Sequence, residues 1–522
     1  MKPEILKKFV LSLPGYHALE EKQQHNVLNL IEVSKKFLQQ AGITPRIRES
    51  ISGNTIILES GHQPNFFPYA GIWKKAFCLN WIRDQLNEDG TTAVAFFGLG
   101  DRNLSTARIL SKNQIPALNK DGLMKIGYKI NEPDRMKSFC QIEKPSRERW
   151  QGEIDKIELH YRDLAKKTRC ENPDLKNQRD SILELVWSSY ERAANAAGLN
   201  SVIFAKICSE FLGIDVWFFL YSDMHQKKFF LDESRTILRN TTRFNEIYNR
   251  VIAEKALNMP LETPNHIPFW YECECGGKTD LFLKGSNTAE GKCPLCKKDY
   301  HLDFGREFHN LDTYYISMTF NAVSRNIAMA HGLGDTLFIS GTGGSLHYGR
   351  ISDRISHELG FHSPVSLAWR SKDYYFGMAH HAAVHELKKQ FSLESADFLT
   401  PDLNRKIKVT FDRLDQHIRD TESTTNKNDI QRWTGIRSHA HNQVISAKNI
   451  FSMTPSFLDI LANQDAASIV REWKEVLSGT EMHNENGFYL VQRNITYPAH
   501  LLSDIPSDSL PEFYANIHTI EV

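Results

Sequence analysis

The chain has 522 residues, with 63 Lys+Arg against 63 Asp+Glu and a formal net charge of zero. At roughly 150 residues per domain this allows about three domain-sized units. The zero balance argues against a bulk electrostatic grip on nucleic acid or on an anionic membrane. The longest strongly apolar run, Phe211–Tyr221, contains Asp215 and falls short of the ~20 residues that a bilayer span needs. Before Pro14 the amino terminus has lysines and only a short apolar stretch, so no signal peptide is indicated. Of the 8 cysteines, Cys78, Cys140, Cys170 and Cys208 stand singly and the rest form two close pairs, which is not the pattern of a disulfide framework. A soluble, cytoplasmic protein is expected.

Apolar positions at helical spacing run through Ala18–Gln40 and stop at Gly42 and Pro45. A β-branched run, Thr55–Leu58, then leads into the polar turn Glu59-Ser60-Gly61-His62-Gln63-Pro64-Asn65, and a helix-like pattern follows from Gly71 to Trp81. Strand, polar turn and helix is how open α/β sheets build ligand sites at the carboxyl ends of their strands. His62, Gln63 and Asn65 supply donors and acceptors there, and Gly61 permits close approach. The same pattern also fits a turn that only closes a βα unit. Thr92–Phe97 reads as a second buried strand, ending in Gly98-Leu99-Gly100-Asp101-Arg102-Asn103. Asp101 and Asn103 are either ligand groups or turn formers.

A helix is expected over Arg179–Ala197, capped at Gly198, with further strands at Val202–Ala205 and Val216–Tyr221. Residues 270–304 change character. Cys273-x-Cys275-Gly-Gly and Cys293-Pro-Leu-Cys296 flank a hairpin-sized insert, and thiolates from two tight turns can surround Zn²⁺ tetrahedrally. With no open position left on the metal, the expected role is structural. Thr336–Ile339 reads as a strand running into Ser340-Gly341-Thr342-Gly343-Gly344-Ser345, with Tyr348 and a helix, Arg350–Leu359, beyond. A glycine-rich turn at a helix amino terminus suits an anion, although neither a Walker A loop nor the Gly-x-Gly-x-x-Gly spacing is present. Val365–Trp369 looks like another strand, ending at Arg370.

Beyond Lys372 the pattern is helical. Leu403, Ile407, Phe411, Leu414 and Ile418 form one apolar seam, Thr421–Asn428 a polar tip, and Ile430, Trp433, Ala440, Val444, Ala447 and Phe451 a facing stripe. This is an antiparallel helical arm, which either packs within the chain or pairs with a second copy. Thr454-Pro455 can open another helix reaching Leu477. His380, His381 and His385 include an i, i+4 pair, but the His-Glu-x-x-His metal motif is not completed. Gly487–Arg493 is strand-like.

Taken in order, these blocks resemble the bacillithiol-biosynthesis cysteine-adding enzyme family. Ser60-Gly61-His62-Gln63-Pro64 with Phe67 and Lys74 is similar to that family's first turn and following helix. Val94–Phe97 with Asp101 resembles its second strand and acidic turn. Ser340-Gly341-Thr342-Gly343-Gly344 with Tyr348 resembles its Gly-Pro-Gly-Glu turn and Tyr, while Pro364, Arg370 and Gln492-Arg493 match later blocks. Gly344 and Ser345 stand where the family carries glutamate, the acidic turn is reduced to Asp101-Arg102-Asn103, and the four-cysteine insert is additional. The turn at 61–68 alone also resembles the WbqC-like family.

The resemblance implies a Rossmann-like, nucleotidyltransferase-like α/β parallel-sheet core over 1–375 with the zinc ribbon inserted at 270–304. A coiled-coil helical arm over 376–478 would support a homodimer, and 479–522 would return to the core. It further implies a ligase that joins an amino acid, cysteine or similar, to the amine of a small acceptor such as an amino-sugar conjugate. In that scheme His62 and Gln63 orient or protonate the leaving group, and Asp101 holds or deprotonates the attacking ammonium. Gly61, Asn65, Asn103, Gly341, Gly343, Gly344, Ser345 and Tyr348 line the substrate or nucleotide site, with ATP or ADP as the nucleotide. Arg370 would pair with a carboxylate. Two other readings stay open: nucleotidyl transfer to another small molecule, and a non-catalytic ribbon that binds a partner or nucleic acid. The second draws on a locally basic set, Lys278, Lys284, Lys292, Lys297 and Lys298.

Overall fold

The central sheet is assembled from strands that lie far apart in the chain. The computed structural model describes residues 3–521 except 14, 48–49, 170–171, 342–343, 424–426, 486–487 and 498–505. Among the described residues the sheet has six parallel strands: β1 (Ile56–His62), β2 (Ala93–Leu99), β3 (Trp217–Leu220), β4 (Asp335–Ser340), β5 (Val365–Arg370) and β6 (Phe488–Gln492). They pair in the order β6-β5-β4-β1-β2-β3, and His483–Glu485 adds an antiparallel edge to β6. This is a doubly wound, Rossmann-like order. β1 and β4 are neighbours whose connections leave in opposite directions, so a crevice opens beyond their carboxyl ends.

Helices cover both faces, which is why the strands read as continuous apolar runs rather than as alternating ones. Ala70–Glu88, Ala196–Glu210 and Ala466–Gly479 form one layer, and Glu21–Ala41, Ala322–Leu333 and Gly344–Leu359 the other. The register Phe96↔Glu59↔Phe338↔Ser366 turns the Glu59 side chain toward the second layer. Val202–Ala205, expected as a strand, lies inside helix Ala196–Glu210. That helix is buried nearly all round, so its apolar run has no polar face to reveal a helical period. Gly198 is not a C-cap: it sits in the first turn of that helix, where its N–H donates to the Asn195 side chain at 2.7 Å. The preceding helix ends at Arg192.

The cysteine-bearing segment forms a separate antiparallel sheet. Strands His266–Glu272, Lys278–Lys284, Thr288–Lys292 and Asp299–Asp303 follow one another, and Met318–Phe320 joins the outer side of the first. Beyond β5, Asp402–Ser423 and Lys427–Ser452 make the helical hairpin, part of whose tip lies outside the described residues. Leu403, Ile407, Phe411 and Leu414 are buried in this hairpin opposite Ala440, Val444 and Ala447, and Met378–Phe391 packs against both helices. The seam therefore has partners within the chain. Two helices, Phe457–Asn463 and Ala466–Gly479, stand where one was expected, each opened by its own cap, Ser456 and Asp465. Gly487 lies outside the described residues.

A stack of rings clamps this return to the sheet. Phe457 stacks on Trp73 at 5.0 Å and on Trp473 at 5.7 Å between ring centres, and Trp73 meets Phe204 at 4.4 Å. All three partners are buried. Phe457→Ala should lower the unfolding free energy by about 3–5 kcal/mol, as for a fully buried phenylalanine, measured by urea denaturation. A loss below about 1 kcal/mol would show that the stack is not the clamp.

Candidate functional site

The crevice between β1 and β4 holds a cavity of about 550 Å³, a size suited to a small-molecule ligand. Gly61, His62 and Gln63 from the end of β1, Ser340 and Gly341 from the end of β4, and Asn103 from the turn after β2 line it. Tyr221 enters from the end of β3, Trp369 from β5, Lys75 from the helix after β1, and Arg325 from the helix before β4. The two separated turns read from sequence therefore meet on one rim. Gly61 and Gly98 make room for Tyr221: a Cβ at Gly61 would lie 2.9 Å from the Gly98 carbonyl oxygen, and one at Gly98 would lie 2.5 Å from the tyrosine Oη. The glycine in the first turn thus serves the packing of the wall as well as access.

Three nitrogen groups set the chemistry. Lys75 is buried and donates from Nζ to the Gly61 carbonyl at 2.6 Å. Burial lowers its pKa to about 7, Arg325 adding to the effect and Glu59 opposing it. Arg325 lies over the Tyr221 ring, 4.9 Å from its centre, and no hydrogen bond ties its guanidinium to another described residue. The ring nitrogen Nδ1 of His62 lies 2.9 Å from the Gln63 carbonyl oxygen. A carbonyl only accepts, so Nδ1 carries the proton and Nε2 is left as an acceptor. Burial, together with the charges of Lys75 and Arg325, lowers the imidazole pKa to about 3 and keeps it neutral.

Behind the cavity, Glu59 and Asp335 face each other with 3% and 0% of their surface exposed. Burial raises both pKa values, most strongly at Asp335, where the Glu59 carboxyl adds repulsion. Among the described residues no neutral or cationic donor reaches either Asp335 side-chain oxygen, so the carboxyl pair itself supplies the hydrogen bond by keeping a proton.

The remaining expected residues divide. Tyr348 lines the cavity from helix Gly344–Leu359. Gly344 and Ser345 begin that helix, and Gly343 lies outside the described residues. Asn65 is buried behind the wall, its side-chain oxygen without a partner among the described residues. Asp101 is also buried and away from the cavity. Its Oδ1 accepts the Ser222 N–H at 3.0 Å, and burial raises its pKa to about 6. Arg370 is exposed at the end of β5, outside the cavity. Lys74, the helix lysine of the family resemblance, donates to Asp373 at 2.7 Å and to Ser371; its neighbour Lys75 is the one that faces the cavity. Sequence reading missed Lys75, Arg325, Tyr221 and Trp369. Tyr221 and Trp369 end strands that the sequence predicts and Lys75 lies in the apolar stretch Ile72–Trp81, whereas nothing local marks Arg325.

The four expected metal ligands come together. The sulfurs of Cys273, Cys275, Cys293 and Cys296 lie within 4.8 Å of one another. Cys273 and Cys296 are 3.4 Å apart, and Cys275 and Cys293 3.6 Å. A tetrahedron of thiolates with Zn–S bonds of about 2.3 Å has edges of about 3.8 Å, so the donor set fits Zn²⁺. Gly277 is required in the first knuckle, because a Cβ there would lie 2.8 Å from the Cys293 sulfur. The ribbon is held against the β2 turn by a buried ion pair, Glu272 with Arg102, to which Ser138 also donates. Lys278 is buried as well and donates to the Arg102 carbonyl at 2.6 Å. Lys284, Lys292 and Lys298 pair with Glu290, Asp299 and Glu274, so the ribbon lysines do not form an unbroken basic face. His380 is buried among Tyr375, Phe376 and Phe451, and burial lowers its pKa to about 3, which makes it a core residue. Among the described residues no helix is long and apolar enough to cross a membrane.

Fold and site together define a Rossmann-like α/β protein with a cationic switch-point cavity and a four-cysteine ribbon. No protein-family model matches the chain, and no curated protein matches it. Among solved structures it is similar to one described as a "putative arginyl t-RNA synthetase" from Campylobacter jejuni, at 9% identity and a TM-score of 0.22. That likeness covers 94% of this chain and 96% of the other.

Two outcomes test this description. Metal analysis of the purified chain should give about one zinc per polypeptide, as a four-thiolate site holds one ion, and Cys293→Ser should remove it. Retained zinc in the variant would place the metal elsewhere. The raised pKa of Asp335 means that the folded state keeps a proton the unfolded chain releases above the ordinary value of 3.8. Stability is therefore lost as pH rises from there toward the folded-state value. Asp335→Asn should flatten that decline and raise Tm at pH 8. A decline equal to that of the parent chain would contradict the protonated pair.

Proposed function

We propose that the switch-point cavity is the active site of a ligase that forms an amide between an amino acid, cysteine or similar, and the amine of a small acceptor such as an amino-sugar conjugate. The observation that carries this reading is the pairing of a guanidinium, Arg325, which rests on the Tyr221 ring, with a buried lysine whose pKa is lowered to about 7, in one cavity with a neutral imidazole. The resemblance to the bacillithiol-biosynthesis cysteine-adding family supports the same class of chemistry.

Amide formation needs an activated carboxyl and a deprotonated amine. With the carboxyl joined to a nucleotide phosphate, the amine nitrogen attacks the carbonyl carbon, a C–N bond forms, and the acyl C–O bond breaks with its electron pair leaving on the phosphate oxygen. Arg325 is placed to receive that anion. Lys75, half neutral near pH 7, takes the proton lost by the attacking ammonium. This role falls to Lys75 rather than to Asp101, whose carboxyl lies behind the wall. His62 Nε2 accepts a substrate N–H or O–H and orients it. Nucleotidyl transfer to the acceptor is the second reading, since a switch-point crevice serves nucleotides in either reaction.

The test is to incubate the full chain with ATP, cysteine and an amino-sugar malate conjugate and to weigh the product. An aminoacyl mass increment is expected. Lys75→Met should lower kcat by about 10²–10⁴-fold, the usual weight of a general base, with Tm and zinc content unchanged. Full activity in that variant would remove Lys75 from the mechanism, and a nucleotidyl increment would select the second reading.

A further inference from the structure

The switch-point cavity does not end at Arg325. Ala322 and Tyr348 line both it and a second cavity of about 410 Å³, so the two meet at these residues. The second lobe is aromatic and apolar, walled by Tyr248, Met259, Phe269 and Trp270. Phe269 and Trp270 belong to the strand that leads directly into Cys273, and a register shift between His266 and Trp270 breaks the regular pairing there. The charges in this lobe are satisfied internally: His266 lies between Glu262 and Asp280. Asn258 adds an exposed amide at the rim.

One lobe thus offers cationic nitrogens and the other flat rings. Ala322 and Arg325 are one helical turn apart on the same helix, with Cβ atoms about 5–6 Å apart, so the junction lies within the reach of one arginine side chain. A ligand matching both lobes carries an anionic group and a planar ring joined through a short spacer. We infer that the aromatic lobe seats the base of a purine nucleotide, stacked on Trp270, while its phosphates lie on Arg325 and Lys75. The zinc ribbon then builds the base pocket, and the metal acts on binding only by holding that wall. This rests on the ligase reading for its co-substrate, but the two can fail separately.

Equilibrium dialysis of the zinc-loaded full chain against ATP and, separately, inorganic tripolyphosphate tests it. Trp270→Ala should weaken ATP by about tenfold, the usual loss of one stacked base, and leave tripolyphosphate within twofold. Trp270→Phe should restore ATP binding, and Arg325→Met should weaken both probes. Ala322→Leu, which narrows the junction, should also discriminate against ATP and covers the case in which Trp270→Ala does not fold. Equal ATP affinity in the folded Trp270→Ala and Ala322→Leu proteins would overturn the proposal. So would an equal weakening of ATP and tripolyphosphate by these changes. A chain that binds no ATP yet joins a pre-activated cysteine to the acceptor would overturn this inference and leave the ligase reading standing; loss of both activities would remove both.

Discussion

Everything at the site depends on β1 and β4 lying side by side while their connecting helices leave in opposite directions. No crossover can close the gap beyond the carboxyl ends of two such strands, so the fold leaves a crevice there without sacrificing core. The chain fills its walls from distant parts of the sequence: the turn at His62, the helix end at Arg325, the tyrosine that follows β3, and Trp369 on β5. What the crevice then holds is charge. Two basic side chains share a poorly solvated space, and each lowers the tendency of a nearby nitrogen to take a proton. The lowered pKa of Lys75 and the neutrality of His62 have this common origin.

The ribbon is coupled to the crevice. Its first strand carries Glu272, buried against Arg102, and Lys278 bonds to the backbone of the same turn that places Asn103 on the cavity wall. A metal cluster that fixes this strand therefore also fixes part of the site. The carboxyl pair Glu59–Asp335 sits on the same face, beneath Arg325. Sharing one proton, it carries a single negative charge, which offsets part of the positive charge of Arg325 and Lys75.

Much of this was legible in the chain itself. β1 and its turn, β2, β4, β5 and the cysteine knuckles announce themselves through local pattern, because a buried parallel strand and a metal knuckle both impose residue types at short spacing. The order of the strands is not local, and the site residues that were missed follow from it. Lys75 stands beside Lys74 in a helix, and nothing in the spacing says which of the two turns inward. Arg325 is a single basic residue in an apolar helix, more than two hundred positions from His62. Asp101 follows a strand, a place that suits a ligand group. Its side chain turns instead to the backbone of Ser222, a contact made by the pairing of β2 with β3. Helix Ala196–Glu210 misled for the opposite reason, being so thoroughly buried that its pattern lacks a polar face.

Lys75 is an amine in a cationic, ligand-accessible crevice. Competitive labelling with trace acetic anhydride, read by peptide mass across pH, tests it directly. Lys75 should acetylate with an apparent pKa near 7, and tripolyphosphate should protect it while other lysines are unaffected. Acetylation of Lys75 with the ordinary lysine pKa of about 10.4, or with no protection by the anion, would contradict it.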